Sequence, residues 1–302
     1  MLYDEIGHST SRRWRTLAVS VVVVSCGAAI CLAWSYHRLA LAKEKDALLR
    51  SLVESASTVD ENSPRIQVAL FEIDSNHGDP VDELKRMLDS ESSFAWESVS
   101  SIDIRNGNLE RFDVVLFPGG SSRRQNEALG NDGVEAVKKF VQSGGGYVGI
   151  CGGAFLATAK YQWGLALVNA KPLTGKIDIP DGRTVSIAAR GKCKVNVALT
   201  DAGRFVFGNS PDHFEIMYTG GPILSPADLV DLPEYVSLGT FATEVWVHES
   251  QQGTMINTPA IIAGRFGAGH VILFGPHPEM TSGLEFLIRQ SVLATRRAGS
   301  DE

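Results

Sequence analysis

Three short runs in this chain are apolar at almost every position, and each stops at a glycine or turn cluster. They are "IQVALFEI" (Ile66–Ile73), "FDVVLFPGG" (Phe112–Gly120) and "GYVGI" (Gly146–Ile150), the last running straight into Cys151. A strand with one wet face alternates apolar and polar residues, so an unbroken apolar strand is covered on both faces. Helical patterns separate the runs. "VDELKRMLDS" follows the first, a stretch with Val134, Val137 and Val141 on one face follows the second, and "AFLATA" opens a helix just after Cys151. "FAWESVSSIDI" supplies a further strand. Such alternation predicts an α/β fold, a mainly parallel doubly wound sheet with helices on both faces.

The segment 161–250 is less regular and holds more polar strands. Beyond it, "AIIAGRFGAGHVILFG" reads as a hairpin turning at Gly267–Gly269, and an amphipathic helix follows with Leu284, Leu287 and Ile288 on one face. No internal repeat or low-complexity tract interrupts the pattern.

The N-terminal part obeys different rules. No formal charge lies between Arg15 and Arg38, and "TLAVSVVVVSCGAAICLAW" (Thr16–Trp34) is almost wholly apolar. At about 1.5 Å per residue such a run is long enough to cross roughly 30 Å of hydrocarbon. The chain therefore divides into a short tail (1–15), a transmembrane anchor (16–37), a helical stalk and linker (38–64), a globular domain (65–297) and a tail (298–302). A cleaved signal, or a lipid anchor at Cys26 in "VVSC", is the alternative for the apolar run, and a buried helix a third. Arg12, Arg13 and Arg15 precede the run while Arg38, Lys43 and Lys45 follow it, so the flanks nearly tie. The compact Arg cluster on a short N-terminus favours an N-in, single-pass orientation with the globular domain outside the cytoplasm.

Composition excludes several classes. The formal charge of −7 gives nucleic acid no basic field to follow. Four Cys without a C-x-x-C pair suit neither a disulfide scaffold nor zinc. No cofactor or metal is expected. Asp212 and His213 lack a second ligand pair and read as surface or structural residues. Asp74, Asn76 and His77 read as turn-formers, with substrate contact the alternative, and Trp246 and His248 as alternate positions of a strand.

Cys151 has a special setting, because "GGGYVGICGGAFLATA" places glycines at 149, 152 and 153. Strand, sharp turn with a nucleophile, then helix is the layout of a nucleophile elbow. Gly149 and Gly153 leave room for the crossing, and the following helix aims its positive end at the sulfur, favouring thiolate. A small Cys buried in a packing contact is the other reading of this segment. "FPGGSS" ends a second parallel strand at the same sheet edge, so the amides of Gly119, Gly120 and Gly152 could form an oxyanion hole. "LFGPHPEM" follows the last strand, and an extended backbone there would put His277 and Glu279 on one side. Cys151, His277 and Glu279 then fill the roles of nucleophile, base and orienting acid.

"FPGG", "GICGGAF" and "GPHPE" together resemble the class I glutamine amidotransferase-like superfamily, whose triad is Cys, His and Glu in that order. Within it the chain is most similar to the N-terminal domain of biotin–protein ligases and its stand-alone bacterial relatives, over residues 65–297. The resemblance implies a flavodoxin-like sheet and adds a substrate loop, "MYTGGP", with Tyr218, Gly220 and Gly221. Family members that use glutamine have Gln four residues after the nucleophile; Phe155 stands there in this chain. An apolar ring cannot hydrogen-bond an amino-acid head group, so glutaminase activity is not expected. No segment resembles a ligase's catalytic half or an ammonia-accepting synthetase, so biotin transfer is not expected either. Two functions remain: a membrane-tethered cysteine hydrolase or amidase acting on an unidentified small-molecule, amide or peptide substrate, or a ligand- or partner-binding domain that retains the triad.

Overall fold

The computed structural model describes residues 33–58, 63–73, 79–208 and 210–297. These fall into two units, one ending at Ala47 and one from Leu48 onward. In the first, residues 33–47 are helical, and Arg38 lies over the ring of Trp34. The second begins with helical residues 48–57, labelled α1. Leu48 and Leu52 are buried in its core, and Ser51 Oγ lies 2.8 Å from His270 Nε2. The expected stalk over 38–64 therefore differs from the structure: the compact unit starts at Leu48 rather than near Arg65, because the apolar face of this helix has a sheet face to cover. The expected anchor, 16–37, lies outside the described residues except for 33–37. Among the described residues no helix is long and apolar enough to cross a membrane.

The elements after α1 are β1 (Ile66–Phe71), α2 (Asp79–Ser90), β2 (Phe94–Val99), α3 (Ser101–Arg105), β3 (Val114–Phe117), α4 (Ser122–Gln142), β4 (Gly146–Ile150) and α5 (Gly152–Ala157). Then come β5 (Ala170–Pro172), β6 (Lys176–Asp178), β7 (Thr184–Ser186), β8 (Cys193–Leu199), α6 (Asp201–Phe207), β9 (His213–Tyr218), β10 (Leu224–Pro226) and β11 (Val236–Phe241). The hairpin β12 (Pro259–Phe266) and β13 (Gly269–Phe274) and the helix α7 (Glu285–Thr295) complete the chain.

One nine-stranded sheet runs β2-β1-β3-β4-β13-β12-β11-β8-β9. Strands from β2 to β13 in that order are parallel, and those from β13 to β9 are antiparallel. The fold is thus α/β with a large mixed sheet, not a mainly parallel one. Sequence periodicity missed the second half because β8 and β9 alternate buried and exposed residues, which parallel strands under two helical layers do not.

The unbroken apolar strands divide their side chains between two cores. Val68, Leu70, Val114 and Leu116 pack on one face with Leu84, Leu88, Leu287 and Ile288 from α2 and α7. Ala69, Phe71, Val115 and Phe117 pack on the other with Val137, Val141 and Leu156 from α4 and α5. Burying each such side chain stabilises the fold by about 1.5–3 kcal/mol.

The antiparallel half bends back on itself. Met217 at the end of β9 forms an antiparallel bridge with His277, although three strands separate β9 from β13 in the sheet. The His277 amide donates to the Met217 carbonyl at 2.7 Å, and the Met217 amide donates to Thr281 Oγ1 at 3.0 Å. This closure brings the loop after β9 to the end of β13.

Candidate active site

β3, β4 and β13 are adjacent and parallel, so the segments that follow them leave the sheet at one edge. After β3 come Gly119 and Gly120, after β4 comes Cys151, and after β13 comes His277. Open α/β sheets collect ligands at this edge.

Cys151 turns the chain from β4 into α5 with φ 49° and ψ −101°, a conformation that costs a non-glycine residue about 1–3 kcal/mol. Two backbone bonds hold it there. Its amide donates to the Phe274 carbonyl at 2.8 Å, and its carbonyl accepts from the Phe155 amide at 2.9 Å. The glycines around it answer to close contacts. A Cβ on Gly152 would stand 2.1 Å from the Gly120 carbonyl oxygen, and one on Gly153 would stand 2.3 Å from that of Phe117. A Cβ on Gly119 would lie 2.7 Å from Cε1 of His277. The cluster is therefore what lets three strand ends converge on one thiol. α5 has only six residues, so its dipole is a minor influence on the sulfur.

His277 supplies the larger influence. It and Glu279 are both buried, with His277 Nδ1 2.6 Å from Glu279 Oε1. The expected extended backbone is not what joins them. Pro278–Met280 form a 3-10 turn that brings the carboxylate under the ring, since Pro at the first position fixes its own φ and needs no amide partner. Burial pulls the imidazole's pKa down, but hydrogen bonds to Cys151 and Glu279, with electrostatic attraction to both, outweigh it and raise the pKa to about 10. Both ring nitrogens then carry hydrogen at neutral pH. Oε2 of Glu279 is buried with no hydrogen-bond partner, so the imidazolium is what balances this carboxylate.

The loop after β9 contributes differently from expectation. Tyr218 is fully buried, packs edge-on against Phe241, and donates its hydroxyl to the Gly221 carbonyl at 2.8 Å. Its hydroxyl fixes the shape of the loop. Gly220 takes φ 87°, and a Cβ on Gly221 would meet the Gly275 carbonyl oxygen at 1.9 Å and Cα of Cys151 at 3.4 Å. Just before these glycines stands Thr219, whose Oγ1 lies 2.7 Å from His277 Nε2. No sequence motif marks Thr219, because its proximity depends on the closure of the sheet.

The structure thus brings together Cys151, His277, Glu279, Gly119, Gly120, Gly152, Gly220 and Gly221. Among the described residues no cluster of His, Cys, Asp or Glu could hold a metal. Asp212 accepts from Arg204, and His213 is exposed at the start of β9. Asp74, Asn76 and His77 lie outside the described residues. Trp246 and His248 do not form a strand. Gln251 accepts the amides of Val247 and His248, so those amides bond to a side chain instead of a ladder.

A parallel sheet edge, a thiol on a strained strand–helix turn and a buried His–Glu pair define a glutamine amidotransferase-like domain. The chain belongs to the family described as biotin-protein ligase, N terminal, whose model matches residues 79–176 and 185–297. It is also 26% identical over 192 residues to an uncharacterized protein of Chlamydia muridarum, covering 62% of this chain and 68% of that one. A cytoplasmic protein of Salmonella typhimurium has a similar fold, with a TM-score of 0.51, 15% identity, and 77% of this chain and all (100%) of that one covered. A ThuA-like protein of Parabacteroides merdae aligns with a TM-score of 0.51 and 12% identity, over 79% of this chain and 93% of its own.

Proposed function

We propose that this protein is a cysteine-dependent acyl hydrolase or amidase. The observation that carries this reading is the buried His277–Glu279 pair at 2.6 Å, with His277 Cε1 and Cys151 Cβ both against Gly119, 2.7 and 3.6 Å from where its Cβ would stand. In this scheme Cys151 Sγ attacks a carbonyl carbon, and the oxygen's developing charge is met by the amides of Gly120 and Gly152. Nε2 of His277 gives its proton to the leaving amine or alcohol as the C–N or C–O bond breaks. Water then hydrolyses the thioester, with His277 taking the water's proton. Glu279 holds the ring and its charge throughout. The substrate is a small-molecule or peptide acyl derivative, and Phe155 argues against glutamine. The uncharged run at 16–37 supports tethering of the domain to a membrane, on its outer side.

A second reading, a binding domain that retains the triad, is favoured by the Thr219 hydroxyl at Nε2, which occupies the nitrogen a proton transfer needs. Incubation with a panel of p-nitrophenyl esters and anilides, followed by intact mass, separates the two. A thioester on Cys151 that forms and decays, absent in Cys151→Ala, supports the hydrolase. No adduct with any ester supports the binding domain. Free L-glutamine should release ammonia far more slowly than about 1 per second.

A further inference from the structure

Downstream of the nucleophile, three aromatic rings stand in a row. Phe155 stacks on Tyr161 with centroids 5.7 Å apart and planes at 22°, and Tyr161 stacks on Trp163 at 5.0 Å and 11°. All three are half-buried. Trp163 packs against the core beneath α4 and α5, whereas Phe155 and Tyr161 belong to neither core cluster. The row is thus rooted in the core at one end and stands clear of it at the other. Stacked together, the rings make one continuous apolar surface, the kind of patch that lines ligand-binding grooves.

The free end belongs to the helix that follows the thiol. Phe155 is on α5, and its amide bonds the carbonyl of Cys151. Helical side chains lean back over the turn N-terminal to their own Cα, so this ring leans toward the Cys151–Gly152 turn. Gly152 presents no side chain in between. One face of Phe155 is taken by Tyr161.

We propose that Phe155, backed by Tyr161 and Trp163, is a shelf selecting a flat apolar group, an aryl or aryl-like substituent flanking the carbonyl that Cys151 attacks. Phe155, the position next to the nucleophile, offers no donor or acceptor, so a charged or strongly polar substituent there would lose its water without replacement. A planar apolar substituent gains offset stacking with Phe155 as well as burial. This rests on the hydrolase reading for the reaction, but the shelf itself requires only that ligands reach Cys151.

The test compares iodoacetamide with N-phenyl-iodoacetamide on the full chain, reading the Cys151 and Cys193 peptides by mass. Cys193 is exposed and reports each reagent's intrinsic reactivity. The shelf predicts a preference for the phenyl reagent at Cys151 about three- to tenfold above that at Cys193, the range one aromatic pair contributes. Phe155→Leu keeps an apolar side chain of similar size and should remove most of that preference, read as the ratio of the two reagents' rates at Cys151. Tyr161→Ser should reduce it. Equal preference at both cysteines, or one that survives both substitutions, overturns the shelf. If Cys151 reacts with neither reagent, the hydrolase reading fails alone. Calorimetric titration of Cys151→Ser with N-phenylacetamide then decides the shelf. Binding lost in Cys151→Ser/Phe155→Leu supports it, and no binding overturns it.

Discussion

Thr219 Oγ1 lies 2.7 Å from Nε2 of His277, on the side of the ring opposite the nitrogen that Glu279 holds. A raised imidazole has hydrogen on both nitrogens, so Thr219 accepts from the Nε2 N–H. An acceptor for the charged form stabilises that form. Thr219→Val should therefore lower the His277 midpoint by up to about one unit, the size of one hydrogen bond to a charged group. Thr219→Ser should restore it. Proton NMR of the ring against pH reads the midpoint, and an unchanged value in Thr219→Val would reduce Thr219 to a neighbour.

Glu279 is expected to matter more. Burial alone lowers the imidazole, and the carboxylate supplies both a hydrogen bond and a charge against that cost. In Glu279→Gln the midpoint should fall by at least about two units, since a buried charge loses its balancing partner. The same NMR titration measures it. A fall no larger than that of Thr219→Val would contradict this ranking.

His277, which is buried, and His270, which is half-buried, give opposite pH signatures. His277 is raised to about 10 in the fold, above an unfolded value near 6.5. Its contribution to stability is complete below pH 6.5 and is lost as pH rises through about 10. His270, next to Ser51, is lowered to about 4, chiefly by burial and secondarily by Arg265. It remains neutral in the fold where the unfolded chain is protonated, so stability falls as pH drops from about 6.5 toward 4, by on the order of 1–3 kcal/mol. Thermal unfolding at pH 7, 5 and 4 should show a loss in the wild type that His270→Gln reduces. An equal loss in both proteins would assign the acid sensitivity to other groups.

Backbone demands at the elbow predict an asymmetric series. Gly152→Ala puts a Cβ within 2.1 Å of a backbone oxygen and should destabilise by about 3 kcal/mol or more. Gly220→Ala meets no atom within 4 Å and bears only its φ of 87°, at about 1 kcal/mol. Cys151→Gly relieves the strained φ and should unfold no more easily than the wild type. Chemical denaturation orders the three, and a Gly152→Ala protein as stable as Gly220→Ala would refute the close approach.

Local signals were sufficient for half of the fold. The unbroken apolar runs of β1, β3 and β4 showed strands covered on both sides, and the glycines beside Cys151 marked the turn. The hairpin of β12 and β13 was visible in its Gly267–Gly269 turn. The closure of β9 onto His277 was not, because a bridge between Met217 and His277 joins residues far apart in the chain with no periodic trace. The approach of Thr219 to His277 leaves no trace in the sequence for that same reason. The His277–Glu279 pairing was legible in "HPE", but the 3-10 turn that makes it depends on Pro278 and the packing under the ring.

The most direct test of the triad is the pH dependence of Cys151 alkylation, with Cys193 in the same chain as reference. If Cys151 and His277 act as one unit held by Glu279, iodoacetamide at pH 6.5 labels Cys151 well ahead of Cys193. His277→Ala should shift that reactivity to higher pH, and Glu279→Gln should shift it less in the same direction. Labelling of Cys151 no faster than Cys193, and indifferent to His277→Ala, would contradict the triad and leave the glycines with a packing role only.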